Sequence, residues 1–73
     1  METVRVIYRH ESDGWWAESS DVGGWSAAAE SYAEVEKLAE EGVPFALGYG
    51  PALESYVPAS ERVRLELERR RRL

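Results

Sequence analysis

Two turn signals, Asp13-Gly14 and Gly23-Gly24, close off a short aromatic run, Trp15-Trp16-Ala17-Glu18-Ser19. Asp-Gly supplies the backbone angles of a tight hairpin, and paired glycines accept conformations that a β-carbon resists. The run between the turns has too few residues for a stable helix, and tryptophan suits a pleated surface. Upstream, Val4, Val6 and Tyr8 alternate with Arg5 and Arg9, the period of a strand with one buried face. Downstream, Trp25 to Ala29 reads as a third strand. Its support comes from its neighbours, because Ser26, Ala27, Ala28 and Ala29 have weak strand propensity. Trp15 and Trp16 must point to opposite faces of the middle strand. One of them belongs in the core; the other is exposed or covered by a partner.

Ser31-Tyr32-Ala33-Glu34 has the spacing of a capping box, in which the serine hydroxyl accepts a backbone N–H and the glutamate reaches back. Val35, Leu38, Ala39, Val43 and Ala46 then fall near one helical face, and Glu36, Lys37, Glu40 and Glu41 fall away from it. Gly42 and Pro44 interrupt the pattern, so the expectation is a main helix over 32–42 with a helical extension to about residue 47. Gly48 to Pro51 is a loop. Pro51 suits the first position of a short helix running to Tyr56, which Pro58 ends. Val63, Leu65 and Leu67 alternate with Arg62, Arg64, Glu66 and Glu68, which predicts a last strand. The expected fold is α+β: a three- to four-stranded antiparallel sheet with one main helix on one face, in the order β-β-β-α-β. Residues 1–68 form the single domain, and 69–73 form an arginine-rich tail that frays.

With 73 residues, the chain buries only about 60–65% of its unfolded surface. It has no cysteine and one histidine, His10, which excludes a disulfide and leaves no basis for a zinc site of nitrogen and sulfur ligands. Self-association is the remaining common way to bury more surface, and a homodimer or larger assembly is expected, with Trp15, Trp16 and Trp25 as its interface. No cofactor is expected. The sequence shows neither a signal peptide nor an apolar run of membrane length, which points to a soluble cytoplasmic protein. Asparagine and glutamine are absent and eight of the nine basic residues are arginine, a composition expected of a heat-adapted protein.

Charge is divided along the chain. Residues 1–61 carry twelve acidic and three basic side chains, whereas 62–73 carry six arginines and two glutamates. The acidic part repels nucleic acid and attracts basic proteins. Arg69, Arg70, Arg71 and Arg72 attract phosphate, so nucleic-acid binding through the tail is the competing expectation. A metal-dependent nuclease would need converging carboxylates, and Asp13, Glu18 and Asp21 are the nearest candidates, two of them in predicted turns where aspartate serves the backbone. His10 with Ser12 or Ser19 lacks an orienting carboxylate and oxyanion donors. Neither set makes a reaction centre, and no catalytic or metal-binding residue is expected.

Taken together, Asp13-Gly14, the aromatic strand Trp15-Trp16-Ala17, the turn Ser20-Asp21-Val22-Gly23-Gly24-Trp25 and the helix start Ser31 with Glu34 resemble the HicB-like antitoxin family. The family carries Pro-Asp-Leu-Pro-Gly-Cys at the second turn. Here Asp21 and Gly24 match, Val22 is conservative, and both prolines and the cysteine are replaced. The likeness covers about residues 3–47. It implies a partial ribonuclease H fold and a subunit that binds and neutralises a small mRNA-cleaving toxin. Many members add a DNA-binding segment after this module, and the residues beyond it here are too few for a helix-turn-helix. The partner surface in this reading is Glu34, Glu36, Glu40 and Glu41, facing a small basic toxin. An orphan oligomeric protein that keeps only the fold is the alternative.

Overall fold

The computed structural model describes residues 3–12 and 14–71. Six elements follow in order: β1 (Thr3–Glu11), β2 (Gly14–Glu18), β3 (Ser26–Ala29), α1 (Tyr32–Leu47), β4 (Ala52–Tyr56) and α2 (Ala59–Arg71). The fold is α+β, a four-stranded sheet in the order β3-β2-β1-β4 with two helices. β1 and β2 form an antiparallel hairpin in which His10 faces Trp15 and Tyr8 faces Ala17. β2 pairs with β3 antiparallel, Trp15 opposite Ala29. α1 then carries the chain from the β3 edge to the opposite edge, where β4 pairs with β1 in parallel, Val4 opposite Leu53.

Period-two alternation decides the core. Val4, Val6 and Tyr8 from β1 and Trp15 and Ala17 from β2 are buried on the face covered by the helices. Tyr32, Val35, Ala39 and Val43 from α1 and Leu65 from α2 close over them. The other face bears Arg5, Ile7 and Arg9 from β1, Trp16 and Glu18 from β2, and Glu54 from β4. It is laced by two cross-strand ion pairs, Arg5–Glu54 at 3.7 Å and Arg9–Glu18 at 3.9 Å. The hairpin therefore separates the paired tryptophans as expected, Trp15 inward and Trp16 outward.

α1 begins where the capping box places it. Ser31 is extended, and its Oγ accepts from Glu34 N at 3.2 Å and bonds Glu34 Oε1 at 2.9 Å. The helix passes Gly42 and Pro44 without a break and ends at Gly48, whose left-handed φ of 80° lets its N–H donate to Pro44 O at 2.8 Å.

Three expectations are corrected. The sheet is mixed, because β4 runs parallel to β1. Residues from Pro51 to Tyr56, read as a short helix, hold β4: the free edge of β1 offers a ladder that outweighs a proline's preference for a helix start. The predicted strand around Val63 to Leu67 is helix α2. Only Leu65 of that alternating trio is buried, so the period-two pattern did not mark a buried face, and the helix-forming Arg, Glu and Leu content prevails. Arg69, Arg70 and Arg71 of the predicted tail lie in the last turn of α2. Met1, Glu2, Asp13, Arg72 and Leu73 lie outside the described residues, Asp13 of the predicted first turn among them.

Candidate functional site

Beyond the apolar core, one carboxylate ties both helices and the sheet together by hydrogen bonds. Glu68 of α2 accepts from the Trp15 indole Nε1 through Oε2 and from the Tyr32 backbone N at 3.1 Å through Oε1. Trp15 is 1% exposed and stacks edge-on against Tyr32 and His10, each ring centroid 5.2 Å away. Arg69 lies over the Tyr32 ring, 5.8 Å from its centroid. Burial raises the Tyr32 hydroxyl pKa, and the neighbouring, hydrogen-bonded Glu36 raises it further. Burial also raises that of Tyr8, opposed by its hydrogen bond with Ser55.

The four glutamates expected at a partner surface all lie on α1 but do not form one patch. At about 100° per residue, Glu36 and Glu40 share the flank beside Tyr8 and α2, while Glu34 and Glu41 share the opposite flank. Glu34, Glu40 and Glu41 are exposed and Glu36 is half-buried.

The three tryptophans expected at an oligomer interface have different roles. Trp15 is enclosed by its own chain and leaves no surface for a second copy. Trp16 is half-buried on the helix-free face, and its Nε1 is buried without an acceptor. Trp25 precedes β3 and lies against α1 at Gly42, where an added β-carbon would come within 2.9 Å of Trp25 Nε1.

The remaining candidates serve the fold. Asp21 Oδ2 accepts from Arg5 N at 2.9 Å, and Glu18 pairs with Arg9. Ser19 is buried, donating to Arg5 O at 2.6 Å and accepting from Asp21 N at 3.2 Å. His10 packs against the Trp15 ring. Among the described residues no cluster of three or more His, Cys, Asp or Glu side chains could hold a metal ion. No helix there is long and apolar enough to cross a membrane. Arg69, Arg70 and Arg71 lie in the last turn of α2.

The feature missed in the sequence is apolar. Leu38 and Phe45 on α1 and Val63 and Leu67 on α2 are exposed, Phe45 by 80% and Val63 by 68%. Leu38 had been expected near the buried face of its helix. A helical projection of residues 59–71 would have revealed the outward pair on α2, had that segment been taken as helix. Comparison with protein-family models, curated proteins and solved structures returns no match.

Proposed function

We propose that this chain is a non-enzymatic module of the HicB-like antitoxin type, which binds a small basic mRNA-cleaving toxin and masks it. The reading is carried by the acidic character of α1, where Glu34 and Glu41 are exposed on one flank and Glu40 is exposed beside half-buried Glu36 on the other. It also draws on the motif resemblance over residues 3–47. A protein that grips RNA presents cations to phosphate, and carboxylates on a rigid helix compete for those cations with charge-assisted hydrogen bonds. Masking of this kind makes and breaks no covalent bond and needs no cofactor.

The test is capture with tagged chain from source cells, followed by a cleavage assay. The expected result is a small basic ribonuclease whose activity falls when this chain is added. Adding the variant Glu34→Lys/Glu36→Lys/Glu40→Lys/Glu41→Lys leaves the activity high. Capture of self alone, or inhibition that survives the four substitutions, overturns the reading. The rival is a nucleic-acid accessory role for Arg69, Arg70, Arg71 and Arg72. It predicts RNA or DNA binding that weakens steeply with salt and is lost when the four become alanine.

A further inference from the structure

Two exposed rows on the helical layer are complementary in both charge and apolar content. On α1, Glu34, Leu38, Glu41 and Phe45 follow at i, i+4, i+7 and i+11, so they form a single ridge. On α2, Ser60, Arg64, Leu67 and Arg71 follow at the same spacing, with Val63 beside them. Each row spans about 16 Å. The apolar members Leu38, Phe45, Val63 and Leu67 are all exposed. Glu41, Arg64 and Arg71 make no ion pair among the described residues.

We propose that the α1 ridge of one copy docks antiparallel on the α2 row of a second copy of this chain. In that register Glu34 meets Arg71, Leu38 meets Leu67, Glu41 meets Arg64, and Phe45 meets Ser60 and Val63. Every charge faces its opposite and every leucine faces an apolar group. The other pairings fail. Parallel docking of the same rows sets Leu38 against Arg64 and Glu41 against Leu67. Ridge on ridge sets glutamate against glutamate or against leucine, and α2 on α2 does the same with arginine. Like-charge contacts of this kind are repulsive.

The contact is between chains rather than within one. Gly42 faces Trp25, which places the ridge on the β3 side of α1. The chain's own α2 packs on the other flank, where Glu36 and Tyr32 meet Leu65, Glu68 and Arg69. A two-fold pair makes the contact twice, once with each ridge. The proposal does not depend on the antitoxin reading.

Analytical ultracentrifugation of the full chain, with and without charge reversal, tests it. The wild-type chain sediments as a dimer, and its dissociation constant rises with salt. Glu34→Arg/Glu41→Arg weakens association at least about tenfold, and so does Arg64→Glu/Arg71→Glu. Mixing the two variants restores dimers, because each reversed row then meets a reversed partner. Circular dichroism checks that both variants fold, since all four positions are exposed. A monomeric wild-type chain at millimolar concentration overturns the proposal. So does a dimer indifferent to both reversals, or a mixture that stays monomeric. Glu34 and Glu41 belong to both surfaces, so the cleavage assay is also run with Glu36→Lys/Glu40→Lys, which leaves the dimer contact intact and reads toxin inhibition separately.

Discussion

Replacing Glu68 with alanine removes one carboxylate and strands two donors. The first is the indole N–H of Trp15, in a ring sealed beneath both helices; the second is the backbone N–H of Tyr32 in the first turn of α1. A buried donor left without an acceptor costs about 1–3 kcal/mol, so the pair costs about 2–6 kcal/mol. A domain of this size has a stability on the order of 4–11 kcal/mol, and the substitution therefore removes a large fraction of it. The midpoint of thermal unfolding falls by about 8–48 °C, at about 4–8 °C per kcal/mol. Urea unfolding followed by far-ultraviolet circular dichroism reads the loss directly as a lower midpoint at unchanged slope. Glu68→Gln keeps one acceptor oxygen and loses about half as much. Trp15→Phe made in the alanine background removes the stranded indole donor, so the two substitutions together cost less than the sum of their separate effects. If Glu68→Ala stays within about 0.5 kcal/mol of wild type, α2 is not pinned through this carboxylate and the account of the helical layer fails.

Tyr8 and Tyr32 have raised pKa values in the folded chain, so the unfolded chain loses their protons first. Their contribution to stability is constant below about pH 10 and falls above it, by at most about 1.4 kcal/mol per pH unit for each tyrosine; Tyr32→Phe makes the alkaline limb of a urea-midpoint profile shallower, and an unchanged limb refutes the assignment. Pro44 sits inside α1 and cannot donate to Glu40, and Pro44→Ala restores that bond and a better helix former. Chemical denaturation should show a gain of about 1–3 kcal/mol, and a loss would mean that the ring itself is packed to advantage.

The first half of the fold was legible because its signals are local. The alternation of Val4, Val6 and Tyr8 and the Ser31–Glu34 box each specify their structure within a few residues, and β1 and the start of α1 follow them. The second half depends on partners far along the chain. Ala52 to Tyr56 has little strand character of its own and becomes β4 only because β1 has an open edge. Val63, Leu65 and Leu67 fit a period of two, yet Leu65 alone is buried, so the pattern carried no information about burial. The acidic character of α1 was readable from composition. Its division into two flanks was not, because that depends on where α2 packs. Trp15 and Trp16 were separable as a pair, but which faced the core needed the second layer.

The pairing of β4 with β1 and the grip of Glu68 on Trp15 have a consequence during synthesis. A chain emerging from the ribosome can close its hairpin early, yet its central strand stays half-paired until residue 56 is free, and the indole proton of Trp15 has no acceptor until residue 68 arrives. Chains truncated before those residues expose an aromatic layer that α2 would otherwise cover. Exposed apolar surface and an unpaired strand edge are the features that make partly folded chains prone to aggregation, so the last helix covers what the hairpin alone leaves open.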